Sequence, residues 1–109
     1  MKTNELIGAA LDWAVAKCEG VTVLPKMRGG CYVTLNKGET VLLCYSTDWA
    51  QGGPIIEREK ITIFQTGKDW MGYIWEDTES FAPTPLIAAM RCYVASKLGD
   101  EVEIPEGLV

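Results

Sequence analysis

The chain contains several reactive residue types, but few of them form a pattern that enzymes use. There is no histidine among 109 residues, which excludes Ser-His and Cys-His dyads and the usual His-containing zinc sites. The acidic clusters at 57–59 and 76–79 show nothing that would separate their pKa values, as paired catalytic carboxylates require. The four cysteines form no Cys-x-x-Cys pair: Cys18, Cys31, Cys44 and Cys92. We therefore expect a non-enzymatic protein with no catalytic residue, metal or cofactor.

A basic, glycine-containing segment is one candidate for ligand binding. In PKMRGGC, residues 25–31, Lys26 and Arg28 precede two glycines. Backbone N–H groups freed by glycine, beside two cations, are suited to holding a phosphate. The spacing is not that of a Walker A motif, and a plain connecting loop with solvated cations explains the same residues.

The most unusual segment is YSTDWAQGGPIIERE, residues 45–59. Asp48 and Gln51 fit an Asp-x-x-Gln capping box. The following Gly52, Gly53 and Pro54 predict that the helix ends after a single turn. A second short turn or an extended piece would then lead to the next strand.

Local backbone chemistry explains the capping residues and the glycines of this segment, but it does not explain the side chains of Trp49, Glu57 and Arg58. A Trp near the tip of a short helix buries a large area or offers a stacking face. Glu57 and Arg58 are either solvated or recognise a polar planar ligand. Arg91, the one charge in the middle of a later helix, is either a solvated or ion-paired residue or an anion contact. The predicted ligand-binding set is Trp49, Gly52, Gly53, Glu57, Arg58, Arg91, Lys26 and Arg28.

Two helices and two hairpins position these residues. Thr3 predicts the N-cap of a first helix over about 4–18, and Thr84, Pro85 and Gly99 bound a second one. Residues 31–35 and 40–45 form one predicted hairpin, and residues 61–65 and 70–76 another; a further short strand is predicted at 21–24. The pattern is α+β: a small antiparallel sheet of four to five strands packed with an N-terminal and a C-terminal helix.

Composition limits the function further. With 48% hydrophobic residues and 23% charged residues, the chain is expected to fold as a single domain over residues 1–109. Its net charge of −5 argues against generic binding to nucleic acid or to anionic membranes. Glu5 and Asp12 interrupt the first apolar run, unlike a signal peptide. The cysteines lie among apolar residues, so we expect reduced thiols in a cytoplasmic protein.

Three blocks of the sequence resemble a known family. MKTNELIGAALDWAVAKCEG, YSTDWAQGGPIIERE and TPLIAAMRCYVASKLGDEVEIPE are similar to NinX-like proteins of lambdoid bacteriophages and prophages. The resemblance implies a phage accessory gene product in the cytoplasm of the infected bacterium, and it brings no catalytic residues.

Two functions are consistent with these observations. The first is a homo-oligomeric small-molecule-binding protein that sequesters a host defence-signalling nucleotide. The alternative is an acidic inhibitor or adaptor that engages a basic surface of a host protein. The acidic segment from Asp100 to Glu106 favours the alternative, whereas Trp49 and the basic residues favour the first.

Overall fold

The computed structural model describes residues 1–21, 31–34, 40–74 and 78–105. Lys26 and Arg28 lie outside these ranges, as does the predicted strand at 21–24 apart from its first residue. A 3₁₀ turn precedes the regular elements, which in chain order are α1 (Gly8–Cys18), β1 (Cys31–Thr34), β2 (Thr40–Leu43), α2 (Trp49–Glu59), β3 (Thr62–Thr66), β4 (Asp69–Ile74), β5 (Thr78–Ala82) and α3 (Pro85–Leu98).

The α+β class is confirmed, but the strands do not form one sheet of four to five strands. In the described part of the chain, β3, β4 and β5 form an antiparallel sheet with β4 in the centre, and β1 and β2 form a separate hairpin. The two predicted hairpins are both present. In the second one Gly67 has φ +62°, a positive value that glycine adopts readily in a hairpin turn.

The strand β5 was not predicted. Its sequence, TESFA, buries Ser80 and Ala82 and exposes Phe81. This reverses the usual correspondence between residue size and burial, so periodicity in hydrophobic residues does not reveal it.

The helix α3 is the centre of the core. Every residue from Leu86 to Val94 is buried, including the charged Arg91, and the other eight are apolar or aromatic, as in a helix that is surrounded by the core. Its predicted boundaries are confirmed, because the Thr84 hydroxyl accepts the Ile87 N–H at 3.2 Å and Gly99 follows the last turn. Its small residues permit close approach: a Cβ on Gly72 of β4 would lie 2.6 Å from the Ala88 carbonyl oxygen.

The first helix begins later than predicted. Leu6 and Ile7 are extended and Gly8 has φ +59°, so α1 starts at Gly8 and has no side-chain cap. Thr3, the predicted cap, is buried and donates its hydroxyl to the Gly99 carbonyl at 2.6 Å. The helix α1 packs deeply within the chain, since residues 14–16 are fully buried.

The helix α2 is the main correction to the sequence-based fold. It continues through Gly52, Gly53 and Pro54 to Glu59, where one turn was predicted. Gly53 has no Cβ to clash with the Pro54 ring, so the usual restriction before proline is relieved. Asp48 does cap the helix, accepting the Ala50 N–H at 2.9 Å, whereas Gln51 accepts the Cys44 N–H at 2.7 Å instead of completing a capping box.

Candidate functional site

The structure does not bring Trp49 and Arg58 together. Trp49 is the first residue of α2 and is 53% exposed, while Arg58 lies near the other end. The two positions are nine helical steps apart, or about 13 Å along the axis. Glu57 is exposed beside Arg58. These three residues therefore do not form one compact site, and their individual roles in ligand binding remain predictions.

Arg58 is engaged by carboxylates of the chain itself. Its guanidinium donates to both oxygens of Glu19, at 3.0 and 2.6 Å, and to Glu59 at 2.9 Å. The Tyr93 hydroxyl donates to Glu19 as well. The hydrogen bond from Arg58 lowers the pKa of Glu19. Burial, and to a lesser extent the hydrogen bond to Glu19, raises the pKa of Tyr93. This cluster connects the end of α1 to α2 and α3, which is a structural role.

Arg91 is also committed to the fold. It is 8% exposed, and it donates to the Leu6 carbonyl at 2.7 Å and to the Phe81 carbonyl at 2.8 Å. Burial lowers the pKa of its guanidinium. It is thus not a solvated residue, and it forms no ion pair with any residue that the structure describes. It connects α3 to the N-terminal segment and to β5.

The two glycines of the predicted set have different surroundings. A Cβ on Gly52 would lie 2.4 Å from the Tyr45 carbonyl oxygen and 2.7 Å from a Leu86 methyl carbon. Gly52 is therefore required for close packing of α2. A Cβ on Gly53 would have no neighbour within 4 Å.

Trp49 borders a small apolar groove between the first turns of α2 and α3. The groove has a volume of about 230 Å³. The positive ends of two helix dipoles converge there, and such ends favour a negative group. Its lining residues are Ser46, Thr47, Trp49 and Thr84–Ile87.

The outer face of the three-stranded sheet carries a row of large apolar side chains that sequence reasoning missed. Strand register places Met71 directly between Phe64 and Phe81. Phe64 is 43% exposed and Phe81 47%. Neighbouring strands are about 4.8 Å apart, so the row spans about 10 Å. We call these three residues the outer row.

The charges around the outer row have one sign. The outward positions next to it carry Asp69 and Glu79, and none of the outward positions on these three strands is Lys or Arg. Residue size in TESFA would predict that Phe81 is buried, so the sequence alone does not locate Phe81 on this face.

A polar cavity of about 410 Å³ lies beside β5. It is formed by the N-terminal segment, the edge of β5, α3 and the chain after α3. Within the described residues, no group of three His, Cys, Asp or Glu side chains is close enough to hold a metal ion. The cavity is lined by Lys2, Thr3, Asn4, Thr78, Glu79, Ser80, Ala95, Asp100 and Glu101.

Comparison with known families agrees with the resemblance seen in the sequence. The family model described as Bacteriophage P22, NinX matches residues 2–97. The chain belongs to the NinX family. The match extends from the N-terminal segment almost to the end of α3, so the family segment includes the outer row, the groove at Trp49 and the carboxylate cluster around Arg58.

Membership of the NinX family identifies the chain as a phage accessory protein. A search of curated proteins gave no match. Across the parts of this NinX-family chain that the structure describes, no helix is long and apolar enough to cross a membrane.

Proposed function

We propose that this phage accessory protein acts without catalysis, by binding a protein of the infected bacterium through the outer row. The observation that carries the proposal is the alignment of Phe64, Met71 and Phe81 across three strands with both aromatic rings exposed. Single exposed apolar residues are normal on protein surfaces, whereas a contiguous group of them marks a binding surface. Aromatic residues and Met are also enriched at interfaces.

The negative charge around the outer row indicates which class of partner it would bind. Asp69 and Glu79 flank the outer row, and the chain has a net charge of −5. A second copy of the chain would place acidic residues against acidic residues, which is unfavourable. A host protein with basic residues around an apolar surface is complementary to this face. The proposed place of action is the bacterial cytoplasm.

The experiment is a comparison of protein capture from infected cells by three forms of the chain. The wild type, Phe81→Ser and Trp49→Ser would each be tagged and purified, and the captured host proteins quantified. Trp49→Ser is the matched control because it removes an equally exposed aromatic residue from another surface.

The proposal expects a host protein that both the wild type and Trp49→Ser enrich and that Phe81→Ser loses. Light scattering of the purified wild type is measured alongside, because homo-oligomerisation is also expected from the sequence. A dimer that Phe81→Ser dissociates would assign the outer row to a second copy and overturn the proposal.

A second candidate function is the binding of a small anionic ligand such as a nucleotide at the groove beside Trp49. It is supported by the exposed indole, which offers a stacking face, and by the two helix N-terminal ends at the groove. The groove lining contains no Lys or Arg, so the proposed phosphate cations Arg58 and Arg91 would not contribute.

A thermal-unfolding screen against cyclic and linear nucleotides tests this candidate. A ligand bound at a hundred times its Kd stabilises the folded state by about 2.7 kcal/mol. Stabilisation of the wild type that Trp49→Ser abolishes would support sequestration of a nucleotide. No stabilisation by any nucleotide at millimolar concentration would reject it.

A further inference from the structure

We infer that the free edge of β3, on the side away from β4, pairs with the same edge of a second copy of the chain. The two strands run antiparallel in a register centred on Phe64, and a two-fold axis passes through that position, as in most homodimers. The inference goes beyond the binding of a host protein and does not depend on it, since its test reads only the association of the chain with itself.

The free edge of β3 is open. Among the strands that the structure describes, β3 pairs only with β4, and their register runs without a bulge from Thr62 to Thr66. Three of the five residues of β3 are exposed: Thr62, Phe64 and Gln65. Natural proteins protect such edges with lysine, proline or a bulge, and residues 62–66 include none of these. The edge can therefore accept another strand.

The backbone groups that face the free edge belong to Ile63 and Gln65. The turn between β3 and β4 has two residues, and the first of them, Gly67, has φ +62°. Residues that flank a two-residue turn, here Thr66 and Asp69, exchange both backbone hydrogen bonds. This direction alternates along an antiparallel strand, so Ile63 and Gln65 direct their N–H and C=O groups away from β4. These groups are positioned to pair with a second strand.

The sequence of β3, TIFQT, is complementary to itself in this register. Phe64 lies opposite Phe64 of the second copy, in a pair without mutual backbone hydrogen bonds, where side chains come closest. Thr62 lies opposite Thr66 on either side of the axis. Cross-strand aromatic pairs and Thr–Thr pairs both stabilise antiparallel sheets. None of the residues 62–66 is charged, so the acidic chain brings no like charges together along this edge. These features favour a second copy over an unrelated strand.

Pairing at this edge joins the outer rows of the two copies. Phe64, Met71 and Phe81 of one copy continue into the same residues of the other, and the six side chains span about 24 Å, since neighbouring strands are about 4.8 Å apart. Face-to-face contact between outer rows would oppose Asp69 and Glu79. Edge pairing instead keeps these acids at least three strand spacings, or about 14 Å, from those of the other copy, where their repulsion is largely screened.

The experiment is sedimentation equilibrium of the purified full chain from micromolar to millimolar concentration. A five-residue ladder is a small interface, which is typical of weak complexes, so the mass should rise with concentration from 12.0 kDa toward twice that value. Phe64→Lys should weaken association at least about tenfold, because two lysines replace the aromatic pair at the axis. A mixture of Phe64→Lys and Phe64→Glu should associate more tightly than either variant alone, since opposite charges then face each other.

The matched control is Phe81→Lys, which makes the same change at a similarly exposed phenylalanine of the same face. Phe81 lies two strands from the free edge, so this variant should change the Kd of association less than about twofold. Urea unfolding of both lysine variants should show cooperative transitions, which separates loss of association from loss of the fold.

Amide hydrogen exchange of the wild type reads the register. The N–H groups of Ile63 and Gln65 should exchange more slowly at millimolar than at micromolar concentration, whereas that of Phe64 is already paired with β4 and should not change. A wild type that keeps the monomer mass at millimolar concentration overturns the inference and leaves this edge to an extended strand of another protein. Equal dissociation by Phe81→Lys and Phe64→Lys, or a mixture that associates no better than its components, overturns it as well.

Discussion

One carboxylate oxygen of Asp12, in the middle of α1, accepts two hydrogen bonds from Ser46. The Ser46 backbone N–H donates at 2.8 Å and its hydroxyl at 2.7 Å. Both residues are buried, with 6% and 1% of their surface exposed. The pair fixes the connection between β2 and α2, and therefore the position of the helix that begins at Trp49.

Removing the Asp12 acceptor should destabilise the fold, whereas removing only its charge should not. Asp12→Ala leaves two buried donors of Ser46 without a partner, and we expect a loss of about 2–4 kcal/mol in the free energy of unfolding. Asp12→Asn keeps an oxygen acceptor and avoids a buried charge, so its stability near neutral pH should equal or exceed that of the wild type. Urea unfolding of the three proteins measures both effects.

The same pair predicts a pH dependence. Burial raises the pKa of Asp12 despite the two bonds from Ser46. A raised carboxyl pKa stabilises the fold at pH values below the unfolded pKa, and this contribution is lost as the pH rises through the folded pKa. The stability of the wild type relative to Asp12→Asn should therefore fall as the pH rises from about 4, the usual pKa of Asp, through the raised pKa of the folded state. A difference that rises over this range would contradict the assignment.

Substitution by alanine should destabilise the fold at Gly52 but have little effect at Gly53. Gly52→Ala places a methyl group 2.4 Å from the Tyr45 carbonyl oxygen, and we expect a loss of at least about 2 kcal/mol because backbone must move. Gly53→Ala meets no neighbouring atom. Alanine has a higher helix propensity than glycine, but its Cβ is restricted sterically by the Pro54 ring. The two effects oppose each other, so the free energy of unfolding should change by no more than about 1 kcal/mol. Equal losses for both would show that α2 packs differently.

Arg91→Lys tests whether this arginine connects three parts of the fold. A lysine lacks the planar fork that reaches both the Leu6 and Phe81 carbonyls. We expect a loss of about 2–3 kcal/mol and faster hydrogen exchange in the N-terminal segment. Arg58→Lys, at an exposed arginine, is the matched control and should lower the free energy of unfolding by less than about 1 kcal/mol.

Glu19→Gln should remove an acid-sensitive part of the stability. The bond from Arg58 lowers the pKa of Glu19, so its contribution is present above the unfolded pKa and is lost as the pH falls through the folded pKa. The half-exposed Arg58 limits the loss at neutral pH to about 1 kcal/mol. The pKa of Tyr93 should also fall while staying above its usual value, since burial remains. Ultraviolet titration against Tyr93→Phe reads this change, and an unchanged pKa would exclude the Glu19 contact.

The sequence predicted elements whose boundaries depend on local chemistry. Thr84 and Gly99 bound α3, and glycine at position 67 forms the second hairpin turn. The continuation of α2 could not be predicted, because contacts of Gly52 with Tyr45 and Leu86 outweigh local helix-breaking tendencies. Tertiary packing overrides propensity in such segments.

The candidate sites were less predictable than the fold. Charged residues appeared available for a ligand, but Arg58 and Arg91 are held by Glu19 and by backbone carbonyls. Sequence does not show which charges the fold itself uses. The outer row required knowledge of β5 and of its register with β4, and both arise from pairing between strands.

The most direct test of the proposed function is the affinity of the purified chain for the purified host protein that it captures. The account predicts that Phe81→Ser raises the Kd at least about thirtyfold, as the loss of an aromatic residue worth about 2 kcal/mol at an interface requires. Trp49→Ser should leave the Kd unchanged within about twofold. A Kd that Phe81→Ser leaves unchanged, or that Trp49→Ser raises instead, would contradict binding through the outer row.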